Sequence, residues 1–319
     1  MSLGLLTLYA HNVWAEPATD VSGCRTLAND AERLRCYDAS KAAEEQLPGT
    51  PASPEPDSAL EQRIKEERDL GHRMFAMLPH RPNYFLHTYS RTPNTAPYVI
   101  TDPTMTLDNQ ELKYQLSLRV PLWNNLFGKN GDLWVAYTQQ SYWQAYNWSQ
   151  SAPFRETNYE PELGLSFDTD FRLLGLKHRV FAVGLAHQSN GRSEPLSRSW
   201  NRVWANFSLE RGNFALTLKP WYRIPESAVT DDNPDIESYA GRGELRAVYK
   251  IGKQVISCQL HNSLRSRDNR SGYQLDWSFP LIKQLKGLVQ YYNGYGENLI
   301  DYNVRTYRIG IGVLIADWL

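Results

Sequence analysis

Phe181-Ala182-Val183-Gly184-Leu185-Ala186-His187-Gln188-Ser189-Asn190-Gly191-Arg192-Ser193, followed past a turn by Ser199-Trp200-Asn201-Arg202-Val203-Trp204-Ala205-Asn206-Phe207-Ser208-Leu209, reads as the two arms of a β-hairpin. At period two, Phe181, Val183, Leu185, His187 and Ser189 share one face, and Ala182, Gly184, Ala186 and Gln188 share the other. In the second arm Asn201, Val203, Ala205, Phe207 and Leu209 oppose Arg202, Asn206, Ser208 and Glu210. An antiparallel register then pairs Leu185 with Val203, Val183 with Ala205, and His187 with Asn201. A His, a Ser and an Asn converge at the end of a strongly apolar face.

The same alternation recurs outward from this hairpin. After Pro82 the chain offers 12 candidate strands, beginning near Tyr84, Glu111, Leu133, Thr157, His178, Ser199, Phe214, Glu237, Gln254, Ser271, Lys286 and Asn303. Leu112, Tyr114, Leu116, Leu118 and Val120 oppose Lys113, Gln115, Ser117 and Arg119; Tyr273, Leu275, Trp277 and Phe279 oppose Gln274, Asp276 and Ser278. Charges such as Lys113, Arg119, Glu244 and Arg246 on the inner face suit a polar lumen better than a dry core. The connections alternate between long polar loops and shorter turns, which is the arrangement of an outer-membrane barrel. The expected fold is all-β: a 12-stranded antiparallel transmembrane β-barrel with an N-terminal periplasmic extension, both termini periplasmic, in a bacterial outer membrane.

Composition agrees with that reading. No run of 18 apolar residues follows the N-terminus, so a helical membrane protein is excluded. Hydrophobic residues make up 41% and mean hydropathy is −0.54, yet the chain holds 19 Tyr and 10 Trp. Only one face of each strand needs to be apolar in a barrel, and Tyr and Trp form its interfacial girdles. The net charge of −1 says nothing about nucleic acid; the chain shows no basic cluster, and no nucleic-acid partner is expected.

Ahead of the barrel, residues 1–15 read as a secretory signal: an apolar patch from Leu3 to Tyr9, then Val13-Trp14-Ala15 as cleavage site. Residues 16–81 form a polar extension. Asn29 to Arg33 opens one helix, a Pro-rich linker follows from Gly49 to Pro56, and Ser58 to Leu70 reads as a second helix. The barrel domain takes 82–319. Of three cysteines, Cys24 and Cys36 are close enough to pair in an oxidising compartment, whereas Cys258 reads as a small apolar strand residue.

On a barrel the apolar face is the outer one, so His187, Ser189 and Asn201 should point at lipid, where polar side chains are functional candidates. Ser189 and His187 are two residues apart on one face, with Cβ atoms about 6.5–7 Å apart. The imidazole can then serve as general base to the hydroxyl. Asn201, across the hairpin, can accept from the other ring nitrogen; a neutral orienter suits an apolar wall better than a carboxylate. Backbone N–H groups at Ser189 and Gly191 are the oxyanion candidates. The turn's carbonyls and hydroxyls are hard oxygen ligands of the kind Ca2+ takes.

These residues carry a resemblance. His187-Gln188-Ser189-Asn190-Gly191-Arg192-Ser193 with Ser197-Arg198-Ser199-Trp200-Asn201-Arg202 resembles the signature of the outer-membrane phospholipase A family of Gram-negative bacteria. Further matching blocks are Tyr137 to Ser141, Pro153 to Pro161, Lys219 to Tyr222, Thr230 to Asp235 and Gly294 to Asn303. The resemblance covers about 82–319. It implies hydrolysis of phospholipid acyl esters of the outer leaflet (A1/A2 and lysophospholipase type), with Ser189 as nucleophile, His187 as base and Asn201 as orienter. It also implies Ca2+-dependent activation by homodimerisation. Arg192 and Ser197 would offer backbone oxygens to the metal, Ser151 of the facing subunit would complete its site, and Gln139 would be the polar residue of the interface. Where the family often has Asp, this chain has Glu194, and a second calcium site with Asp231 or Asp232 is left open. The alternatives are a non-catalytic pore or structural barrel, and a barrel hydrolase with another substrate, such as a lipopolysaccharide deacylase.

Overall fold

The computed structural model describes residues 24–25, 27–45, 58–71, 76–283 and 285–319. The expected signal over 1–15 and the linker over 49–56 lie outside the described residues. Residues 24–45 belong to a unit of their own. Its helix α1 (Asp30–Glu45) places Asp30 and Glu32 in the first turn, where carboxylates complement the helix dipole, and a disulfide joins Cys24 to Cys36.

The larger unit begins with helix α2 (Ala59–Gly71) and a two-residue bridge, β1 (Leu78–Pro79). Twelve longer strands follow: β2 (Asn83–Ser90), β3 (Gln110–Trp123), β4 (Asp132–Trp143), β5 (Phe154–Leu173), β6 (Leu176–Ser189), β7 (Ser199–Arg211), β8 (Phe214–Ile224), β9 (Gly243–Ile251), β10 (Gln254–Asn262), β11 (Ser271–Ile282), β12 (Leu285–Gly294) and β13 (Thr306–Ala316). Each pairs antiparallel with the next in sequence, and β13 pairs with β2, so β2–β13 close into a 12-stranded barrel. Closure removes every sheet edge from hydrocarbon.

One strand start differs from the expected one. Glu237-Ser238-Tyr239-Ala240, expected to open a strand, forms a short helix, α3 (Glu237–Ala240), and β9 begins at Gly243. The reason is packing over the barrel mouth. Ile236, just ahead of α3, is buried with Trp200, Leu299 and Tyr302, which a straight strand rising from the wall would not reach.

The exterior follows the expected parity: Leu116, Leu163, Leu185, Val203, Leu275 and Ile311 are exposed on the outer wall. The interior is filled with paired charge. Near the long loops, Arg155 binds Glu111 and Asp301 (both 2.6 Å), and Arg308 binds Glu111 and Glu297 (2.7 and 2.8 Å). Further down, Glu160 accepts from Arg81 and Arg202 (2.9 and 2.8 Å), and Glu162 accepts from Arg81 and Lys219 (3.0 and 2.7 Å). Buried charges persist only when partnered in this way. At the end with the short turns α2 lies against the lumen. Leu60 packs with Val255 and Trp318, Glu67 binds Arg119 (2.7 Å), and Glu61 binds Arg179 (2.6 Å). A cavity of about 800 Å3 remains inside, with Arg63, Ile64 and Glu67 of α2 in its lining.

Candidate active site

β6 and β7 pair in the expected register, with Leu185 opposite Val203, Val183 opposite Ala205, and His187 opposite Asn201. The last pair is a chemical contact as well: His187 Nδ1 lies 2.8 Å from Asn201 Oδ1. An amide oxygen only accepts, so Nδ1 carries the proton and the Nε2 lone pair is free to act as base. Both side chains are on the outer wall, His187 exposed and Asn201 half-buried.

Ser189 ends β6 on the same face. No hydrogen bond joins its hydroxyl to His187 among the described residues, so the pair shares a face without being engaged. Catalytic hydrogen bonds commonly tighten only once substrate is bound. Beneath His187 and Asn201 the outer wall carries a groove of about 480 Å3, lined by Val135, Pro161, Leu163, Leu185 and Ile224. Its apolar lining suits an acyl chain.

The turn above is held by Asn190, which is buried. Its side chain donates to Leu196 O (2.8 Å) and accepts from the backbone N–H groups of Arg198 (3.0 Å) and Arg192 (3.3 Å). Gly191 follows at φ +64°, and a Cβ there would stand 3.1 Å from the Tyr159 ring. Only glycine meets both demands without strain. Its N–H donates to no described residue and remains available to an oxyanion.

The residues expected at the metal are distributed over two loops. The Arg192 guanidinium is occupied by the carbonyls of Phe154 (3.0 Å) and Arg155 (2.6 Å), which leaves its own backbone oxygen as the group it can offer. Ser197 donates its hydroxyl to Asp232, and its carbonyl accepts from the Arg198 guanidinium, which also reaches Pro195 O (3.1 Å). A positive group thus already rests on these oxygens. Glu194 hydrogen-bonds Asp232, and this contact between two carboxyl groups raises the Glu194 pKa above its ordinary value. Hard oxygens, with carboxylates crowded beside them, fit a divalent cation such as Ca2+. Ser151 belongs to the β4–β5 loop and makes no hydrogen bond to the 190–198 turn among the described residues. It is exposed at φ +58°, followed by Ala152 at φ +47°, and this rare left-handed pair is tied down by Ala152 N–H to Asn147 O and by Trp143 Nε1 to Ala152 O (2.9 Å each).

Gln139 lies on the outer face of β4, donating to Ser141 Oγ at 3.2 Å. Two features escape a reading of the sequence. Glu226, in the β8–β9 loop, accepts from Asn201 Nδ2 at 3.2 Å. Behind the wall, Gln188 accepts from Trp200 Nε1 at 2.7 Å, and Arg202 stacks on Trp200 at 4.1 Å. The position of Glu226 was foreshadowed only by register: Asn201 pairs with Ile224, so residue 226 is the next one on the same face.

Comparison with known proteins gives a consistent answer. A family model described as Phospholipase A1 matches residues 60–315. The chain is 41% identical over 243 residues to Phospholipase A1 of Klebsiella pneumoniae, covering 76% of this chain and 83% of that protein. Among solved structures, the outer membrane phospholipase A from Escherichia coli superposes with a TM-score of 0.73 at 40% identity, covering 77% of this chain and 100% of that one. The Salmonella typhi outer membrane phospholipase, solved as a dimer with bound calcium, gives 0.72 at 41% identity, covering 76% and 93%. The chain therefore belongs to the phospholipase A1 family and is an outer-membrane β-barrel.

Proposed function

We propose that this chain hydrolyses acyl ester bonds of outer-leaflet phospholipids by a Ser189–His187–Asn201 mechanism on the lipid-facing wall, as a calcium-dependent homodimer. The observation that carries this reading is the His187–Asn201 hydrogen bond on an otherwise apolar exterior. A polar pair facing lipid is costly unless it has work to do.

In the acylation step Ser189 Oγ attacks the ester carbonyl while His187 Nε2 takes its proton. The imidazolium keeps its Nδ1–H on Asn201 Oδ1, which stabilises the charge and holds the ring. Backbone N–H groups of Ser189 and Gly191 receive the oxyanion. Collapse of the tetrahedral intermediate breaks the acyl C–O bond, and His187 returns the proton to the departing alcohol, a lysophospholipid. Water then attacks the Ser189 acyl ester, His187 again taking and returning a proton, and the fatty acid leaves. The neutral Asn201 keeps a carboxylate off the lipid wall.

Calcium would be held by the backbone oxygens of Arg192 and Ser197 with Ser151 of the facing subunit, and it would supply positive charge near the oxyanion. Because Ser151 makes no hydrogen bond to that turn within its own chain, a second copy has a reason to be present: a flat wall becomes a cleft only when another surface faces it. Gln139 is the polar residue assigned to that interface. With twelve strands both ends of the barrel emerge on one side, assigned to the periplasm. Residues 1–15 are assigned as the export signal, 16–81 as the periplasmic extension and 82–319 as the phospholipase domain.

Ser189→Ala tests the reading directly. Acyl release from phospholipid mixed micelles should vanish while the barrel still folds, and retained hydrolysis would sink the nucleophile assignment.

A further inference from the structure

We infer that Glu226 is a positioning residue of the acyl-transfer site: its carboxylate selects the amide orientation of Asn201 and, through it, the tautomer of His187. The inference rests on the triad proposed above and adds a fourth member to it.

An asparagine side chain is nearly symmetric in shape and opposite in function at its two ends. With Oδ1 toward His187, Nδ1 is the protonated nitrogen and Nε2 is a base. With Nδ2 toward His187, Nδ1 must accept, the proton moves to Nε2, and the imidazole can no longer receive a proton from Ser189. Rotation of the amide by a half turn therefore switches the base off. Nothing intrinsic to Asn201 chooses between the two orientations.

Glu226 makes the choice. An ionised carboxylate is acceptor-only, so only the amide NH2 can face it. Asn201 Nδ2 lies 3.2 Å from Glu226 Oε1 while Oδ1 lies 2.8 Å from His187 Nδ1, and both contacts hold in one orientation alone. The reversed amide would set oxygen against oxygen at Glu226 and lose that bond. Among the described residues Glu226 has no other hydrogen bond or ion pair, so its carboxylate is committed to this contact.

The backbone makes the contact almost unavoidable. β8 ends at Ile224, the register partner of Asn201, and Pro225 favours an extended step before Glu226. Residue 226 then continues the outward face of Ile224 as the diagonal neighbour of Asn201, about 7–8 Å away between backbones and within reach of a glutamate side chain. An aspartate at position 201 would orient the imidazole unaided, but it would put a full charge on the strand. Here the charge sits two residues beyond the register partner of Asn201, on a half-buried loop position.

The test uses the full chain in phospholipid mixed micelles with calcium. Glu226→Ala should lower kcat on the order of 10-fold with KM unchanged. Glu226→Gln, whose amide can meet Asn201 with either its oxygen or its NH2, no longer enforces one orientation and should lower kcat about threefold or more. In an Asn201→Ala background Glu226→Ala should add no further loss, because the two residues act through one contact. Nitrogen NMR of labelled histidine should find His187 protonated at Nδ1 in the parent and a tautomer mixture in Glu226→Ala. A kcat within about twofold of the parent in Glu226→Ala would overturn the inference; so would an undiminished kcat in Glu226→Gln, or an undiminished loss without Asn201. Hydrolysis by Ser189→Ala would instead remove the triad beneath it, whereas an inactive Ser189→Ala beside a normal Glu226→Ala removes only the role given to Glu226.

Discussion

Gln139 and Ser189 occupy the same rung of the barrel wall, two strands apart, with only Tyr159 between them. Gln139 is the register partner of Tyr159, and Tyr159 is the register partner of Ser189. At about 4.8 Å per strand the assigned interface residue stands about 10 Å from the proposed nucleophile. A second barrel seated on Gln139 would therefore roof the site. Gln139→Ala should weaken self-association by about 1 kcal/mol, the scale of hydrogen bonds between membrane segments, or about fivefold in dimer Kd. Sedimentation equilibrium in detergent reads this, and an unchanged Kd would detach Gln139 from the interface.

Gly191 gives a sharper handle on the oxyanion. A methyl group added there meets the Tyr159 ring at 3.1 Å and must tolerate φ +64°. Gly191→Ala should displace the neighbouring N–H and reduce kcat by on the order of 100-fold. The strands and their thermal transition should stay as they are, which circular dichroism would check.

Calcium removal should separate activity from fold. The assigned ligands lie in the β4–β5 and β6–β7 loops, outside the strands, so a chelator should abolish acyl release and shift dimer to monomer while leaving the barrel folded. Hydrolysis that persists in chelator would keep the serine site and discard the metal.

Glu160 offers a test of the interior. It accepts from both Arg81 and Arg202; its loss would take the carboxylate partner from Arg202 and leave Arg81 with Glu162 alone. Glu160→Ala should destabilise the barrel by about 3–5 kcal/mol, measured by denaturant unfolding in micelles.

The same filling bears on the pore alternative. Ion pairs span the lumen and α2 contributes to the lining of its remaining cavity. Planar bilayers containing the protein should give no unitary conductance; discrete channel steps would reopen that reading.

What could be read from the chain, and what could not, divides along physical lines. The His187–Asn201 pairing follows from parity and a hairpin register, both local, so it was legible. The start of β9 is not legible in the chain, because the conformation of the α3 segment before it is decided by Ile236 packing on Trp200 and Tyr302, far away in sequence. The partners of the inner charges were equally hidden. Alternation says that Arg202 faces inward, but only the closed barrel says that it meets Glu160. Glu226 is hidden for a third reason: it lies past the last residue of β8, and its contact depends on where that strand stops and which register it keeps with β7.

The Arg202 bracket has a mechanical consequence. A barrel wall is one chain thick, and an unfilled one would flex between round and oval, sliding neighbouring strands past each other. Arg202 follows Asn201 on β7 and faces Ala186, the neighbour of His187; from there it clamps Glu160 on β5 and reaches Gln188 on β6 at 3.3 Å. Three adjacent strands are thus bolted together directly behind the proposed site. The stiffness that keeps a histidine within 2.8 Å of its asparagine is lent by side chains on the side of the wall that substrate never touches.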